Sequence, residues 1–233
     1  MLTLRPSAER GSTRLGWLDS KHSFSFGSYH DPQHMGCSVL RVVNDDEVAP
    51  GGGFNTHGHR DMEILSYVLR GTLEHRDSLG NSAKMPAGDV QLMSAGRGIQ
   101  HSEFNSSPTE DLRFLQMWVL PAELGTEPRY EQKAFAGQAA EQGLVLAASP
   151  DGKDGSLTIG QDVKFYVGHL TPERQATLSP PAGRTLWVQV ASGELQVGER
   201  PLKAGDGAAI AADGSDLQLT GVSETEFVAF DLP

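Results

Sequence analysis

Three histidines in two short segments carry the most chemistry in this sequence: His57-Gly58-His59, with Glu63 four residues on, and Gly98-Ile99-Gln100-His101-Ser102-Glu103. In extended chain, alternate side chains share a face. That parity places His57, His59, Asp61 and Glu63 on one face of one strand, and His101 with Glu103 on one face of another. Adjacent strands in a barrel would bring these groups to one interior point. Imidazole nitrogens with one carboxylate suit a divalent first-row cation, with Fe(II), Mn, Co, Ni, Cu and Zn all compatible. A site of three or four protein ligands with room beside it can activate a bound water or hold dioxygen next to an organic substrate. Parity alone leaves the carboxylate ligand open between Glu63 and Glu103.

The elements needed to hold such a site are strands. Apolar residues recur at period two or in short runs, as in Ser38–Val43, Ile64–Leu69 and Leu112–Leu120. Turn residues separate them at Asp31-Pro32, Pro50–Gly53, Gly71, Gly80-Asn81, Pro86–Asp89, Gly96 and Gly98. Only Pro121–Gly125 and Ala134–Gln142 suggest a helical turn or connector. An internal repeat divides the chain: Leu65–Glu74 is echoed by Trp187–Gln196, each expected to be a strand, a Gly turn and a returning strand. Pro86–Asp89 is likewise echoed by Lys203–Asp206. The expectation is all-β, with two related antiparallel barrels: residues 1–130 holding the metal and residues 131–233 without metal ligands, His169 being the sole histidine there.

Composition narrows the partners. A formal charge of −11 over 233 residues, with no basic cluster, argues against nucleic acid or an anionic membrane as partner. Neither a secretory signal nor an apolar run of membrane-spanning length is visible, so a cytoplasmic, soluble protein is expected. The single cysteine, Cys37, excludes a disulfide framework and a Cys-based zinc site. Two barrels that can bury each other suggest a monomer.

The residues around the histidines resemble the pirin family of bicupins. The cupin pattern is Gly51, His57-Gly58-His59, Glu63, Gly98, His101 and Asn105. More specific are Gly16–Ser20, His22–Phe26, Asp31-Pro32, Leu40–Asp46, His57–Glu63, Met93–Glu103 and Arg129–Gln132. The resemblance implies two cupin (jelly-roll) domains, and His57, His59, His101 and Glu103 as ligands, usually of iron, with Glu63 an inward neighbour. It also implies one of two functions. The first is dioxygenase cleavage of flavonols such as quercetin with O2, Glu103 doubling as ligand and catalytic base. The second is a metal-containing regulator that binds a protein partner without turnover.

Other candidates carry weaker signals. His22, His30 and His34 lie in a Gly/Ser-rich segment and read as structural or solvated. His75, beyond the Gly71 turn, reads as a hairpin residue rather than a ligand. Cys37 reads as a buried inert thiol, and Gly51-Gly52-Gly53 as a turn that could shape the mouth of the site.

Overall fold

The computed structural model describes residues 2–233. Antiparallel strands dominate, with one seven-residue α-helix, Ala136–Gln142. The chain forms two compact units: Gly11–Ala134 with Leu157–Gln161, and residues 2–10 with Phe135–Ser156 and Asp162–Pro233. This division differs from a simple cut after residue 130. Arg129–Ala134 pairs with Asp89–Ser94 and closes an edge of the first unit. Leu2–Arg5 does the same for the second by pairing with Gly207–Ala211. No helix among the described residues is long and apolar enough to cross a membrane.

Each unit is a sandwich of two separate antiparallel sheets, where the sequence suggested closed barrels. In the first unit the large sheet runs Arg129–Ala134, Asp89–Ser94, Glu63–Arg70, Leu112–Val119, Leu40–Val48, Leu18–His22, Gly11–Leu15. The small sheet runs Gly53–His59, Ile99–Asn105, Thr72–Asp77, Ser82–Pro86. The second unit repeats this small-sheet order with Gln175–Leu178, Leu217–Gly221, Glu194–Val197 and Arg200–Lys203.

The internal repeat is real, but its glycine has another job than closing a hairpin. Glu63–Arg70 lies in the large sheet and Thr72–Asp77 in the small one, so Gly71 is the corner where the chain changes sheet. Gly193 makes the same corner in the second unit. Both have positive φ, 80° and 78°. A Cβ at Gly71 would lie 2.8 Å from the Asp111 carbonyl oxygen, and one at Gly193 2.2 Å from that of Glu224. Only glycine takes such a corner without strain or collision.

The interior of the first unit is layered, and the strand Glu63–Arg70 shows how. Its inward face carries Ile64, Ser66 and Val68, all fully buried. Ile64 packs with Met93, Ala95 and Ile99. Val68 packs with Leu18, Leu73, Met85 and Phe114. Ser66, between them, donates to Glu103 instead (3.4 Å). Two apolar clusters therefore flank a polar band, and the histidines lie in it.

Candidate metal centre

His57 and His59 come from Gly53–His59, and His101 and Glu103 from its neighbour Ile99–Asn105. The register pairs His101 with His57 and Ile99 with His59. On Ile99–Asn105 the alternation is complete: Ile99, His101, Glu103 and Asn105 are buried and the residues between them are less so. A bulge against Gly53–His59, between His101 and Glu103, sets Glu103 opposite Phe54. This register needs Gly53 opposite Phe104, since a Cβ there would meet the Phe104 ring at 2.5 Å.

The three imidazoles are mutually in contact. Ring centroids lie 4.8 Å apart for His57 and His59, 4.5 Å for His57 and His101, and 4.9 Å for His59 and His101. One nitrogen from each lies within 4.8 Å of the others. His101 is 1% exposed, yet its Nε2 has no hydrogen-bond partner among the described residues. A buried polar atom left so costs about 1–3 kcal/mol, and native interiors keep few of them. A shared cation would satisfy that nitrogen, and the donor set fits one.

Electrostatics prepare the rings for this role. Burial, reinforced by the neighbouring rings, holds His101 down to about 2 and His59 to about 4. Both are therefore neutral near pH 7, with lone pairs free. Glu103 moves the other way: burial and nearby Asp46 push it up to about 7, against hydrogen bonds from Ser66 and Gln116. Gln116 Nε2 donates to Glu103 Oε2 at 2.8 Å, which orients the carboxylate.

Glu63 lies elsewhere. Parity links it to His59 only if the strand continues, and the strand stops: Asp61 has φ of 66°, and its carboxylate accepts the Gly125 N–H at 2.7 Å. Glu63 then begins a strand of the other sheet. Its Oε2 accepts from Ser94 Oγ (2.9 Å) and the Gly160 N–H (3.0 Å), which ties segment 157–161 to the first unit. It belongs to neither group of potential metal-binding side chains. Those groups are His57 with His59 and His101, and His75 with His101 and Glu103.

Beside the histidines lies a cavity of about 490 Å³, a size usual for small-molecule pockets. His57, His59 and Glu103 line it. Its apolar wall includes Trp17, Phe26, Phe54 and Trp118, and its polar wall Asn44, Asp46 and Gln116. Trp118 packs edge-on against both His59 (4.9 Å) and Phe26 (5.4 Å). Aromatic surface thus continues up to the imidazoles.

Comparison with known proteins agrees with this geometry. The Pirin model matches residues 4–119, and the model for the quercetinase C-terminal cupin domain matches residues 146–232. Over its whole length the chain is 48% identical to quercetin 2,3-dioxygenase of Escherichia coli (strain K12), covering 99% of that protein. The chain belongs to the pirin family. It is a bicupin, as the crystal structure of YhhW from Escherichia coli bears out: TM-score 0.95 at 47% identity, covering 100% of this chain and 98% of that one. The nickel(II) complex of bacterial pirin YhhW matches similarly, with TM-score 0.94, 47% identity, and coverage of 100% and 99%.

The remaining candidates of this pirin sort by burial. His22 is buried and lines the cavity, but its ring nitrogens are engaged by Asn44 Oδ1 (2.8 Å) and Thr13 Oγ1 (2.9 Å). His30 is exposed, and His34 sits 3.9 Å from Asp31. Cys37 is half-buried where the sequence suggested a buried thiol, and the burial it has pushes that thiol up to about 11, as befits an inert side chain. Sequence reasoning underrated His75, which is fully buried beside His101 with their Nδ1 atoms 3.4 Å apart. The available signal was parity: on Thr72–Asp77, Leu73, His75 and Asp77 alternate, and Leu73 is plainly core.

Proposed function

We propose that this pirin is a metal-dependent dioxygenase cleaving flavonols with O2, holding Fe(II) through His57, His59, His101 and Glu103. The observation that carries the reading is the unpartnered, buried His101 Nε2 in a cluster of three imidazoles, beside a cavity walled by aromatic side chains. The name of the 48% identical relative, quercetin 2,3-dioxygenase, and the nickel(II) complex of YhhW support the substrate class and the divalent site. When bound, the cation supplies Lewis acidity and one-electron chemistry toward dioxygen.

The protein's own groups do the rest. Trp17, Phe54, Phe26 and Trp118 offer flat apolar surface to a planar polyphenol and exclude water. Glu103 lines the cavity and is oriented by Gln116, which places its carboxylate to take a proton from the substrate enol. Asp46 is 2% exposed and lines the cavity, and its Oδ1 has no partner among the described residues. Burial raises it to about 7, so it can meet a substrate hydroxyl as donor or acceptor. Holding the substrate hydroxyls at fixed places beside the histidines lowers the entropic part of the barrier.

The test is oxygen uptake with quercetin after anaerobic reconstitution with Fe(II). Wild type is expected to consume oxygen, and His101→Ala to lose both metal and uptake. Metal-replete wild type that turns over no flavonol would sink the enzyme reading in favour of a regulator that works by binding another protein.

A further inference from the structure

We infer that His75 and Asp77 are positioning residues, a carboxylate–imidazole relay that sets the tautomer of His101 and keeps the proton off its Nε2. The inference rests on His101 being a metal ligand, as proposed above, but its chemistry can be measured without metal.

Asp77 is the anchor. Its Oδ1 accepts the backbone N–H groups of Leu79 (2.9 Å) and Asn81 (3.0 Å), and its Oδ2 accepts from Asn81 Nδ2 (2.9 Å). The same Oδ2 lies 3.0 Å from His75 Nε2, with both side chains inaccessible to solvent. His75 in turn stacks on Tyr130, with centroids 4.6 Å apart and planes 27° apart, and the Tyr130 hydroxyl donates to Gln132 (3.0 Å). A flip of the imidazole would lose the hydrogen bond to Asp77, and a swing would break the stack on Tyr130.

Proton counting then leaves one arrangement. A carboxylate only accepts, so His75 Nε2 carries the hydrogen, and a neutral ring then has a lone pair on Nδ1. That lone pair faces His101 Nδ1 at 3.4 Å, so His101 must carry its hydrogen there. The remaining His101 nitrogen, Nε2, is left as a bare lone pair, and it is the buried atom without a partner. Metal-binding histidines commonly donate their second nitrogen to a carboxylate or carbonyl. Here a second imidazole intervenes, and the carboxylate stands one ring further out. The residues come from neighbouring strands, where the register sets His75 opposite Glu103 and Asp77 opposite His101.

An isosteric change reverses the relay. In Asp77→Asn the two backbone N–H donors hold the amide oxygen at the Oδ1 place, and once Asn81 turns its own amide to present its oxygen, the new amide nitrogen faces His75 Nε2. His75 would then move its hydrogen to Nδ1, and His101 would respond by placing its own on Nε2. A carboxylate-to-amide change beside a histidine acts in this manner elsewhere, by selecting the wrong tautomer. His75→Phe keeps the stack on Tyr130 and removes both the acceptor facing His101 and the donor to Asp77.

Two measurements test the relay. Long-range proton–nitrogen NMR of the metal-free protein should show His101 protonated at Nδ1 in wild type, at Nε2 in Asp77→Asn, and as a mixture in His75→Phe. Calorimetric titration with Ni(II) should show affinity lower by about 10–100-fold in both variants, with the His22 and His169 resonances unmoved as a check on folding. His101 protonated at Nε2 in wild type, or Ni(II) affinity unchanged in both variants, overturns the relay. If wild type binds no Ni(II), the ligand reading falls, and the tautomer measurement still decides the relay.

Discussion

The two units use one strand plan for opposite interiors. Superposing the corners at Gly71 and Gly193 sets Ile64, Ser66 and Val68 against Leu186, Val188 and Val190, and sets His75 against Val197. Every polar residue of the first set has a valine in its place. The second unit accordingly buries one continuous apolar cluster, including Val188, Val190, Leu195, Val197 and Phe227. The first instead interrupts its core with Ser66, His75, His101 and Glu103, all at most 1% exposed. Burying such groups is tolerable only where each finds a partner. Hydrogen bonds from Ser66 and Gln116 to Glu103, from His75 to Asp77, and between His75 and His101 provide partners for all but His101 Nε2. The lesson is that the scaffold is indifferent to chemistry, and a handful of inward positions decide it.

The contrast can be broken most forcefully in the apolar unit. Phe227 is fully buried and packs so closely on Gly168 that a Cβ there would lie 2.2 Å from its ring. Phe227→Ala should cost about 3–5 kcal/mol in denaturant unfolding, while metal content of the folded protein stays at its wild-type value. Loss of metal along with stability would show that the units do not divide the labour.

A smaller effect separates the two glutamates within the polar unit. Glu103→Gln should weaken metal binding by about 10–100-fold or more, because it removes the proposed carboxylate ligand. Glu63→Gln should leave affinity unchanged and cost about 1–3 kcal/mol of stability, because the hydrogen bonds from Ser94 and Gly160 are to a carboxylate. Metal titration and thermal melting of both variants check this, and equal losses of affinity would undo the assignment of Glu103.

The mildest probe is pH. His59 and His101, held down to about 4 and about 2, carry no proton for a metal to displace above about pH 5. Glu103, raised to about 7, does carry one below that value. Metal affinity should therefore fall as pH falls through about 7, as the carboxyl takes up its proton. Between about pH 5 and 7 the slope should lack the contribution of about one proton from each of those two rings at an ordinary histidine pKa. A slope steep enough to include them, in a competition titration with Ni(II), would contradict the burial argument.

Much of this is legible in the amino-acid sequence. Strand identity follows from period-two patterning, the repeat from its recurring strand, glycine turn and strand, and the grouping of His57, His59 and His101 from spacing on two strands. These are local properties, set by backbone alternation and by the conformations only glycine adopts. Tertiary structure alone decided which sheet each strand joined, and so what Glu63 and His75 do. Glu63 shares parity with His59, but a left-handed turn at Asp61 sends it into the other sheet. His75 reads in the sequence as a hairpin residue, whereas the register of Thr72–Asp77 against Ile99–Asn105 sets it opposite Glu103. Alternation states which face a side chain takes; only pairing between distant strands states whose side chain it meets.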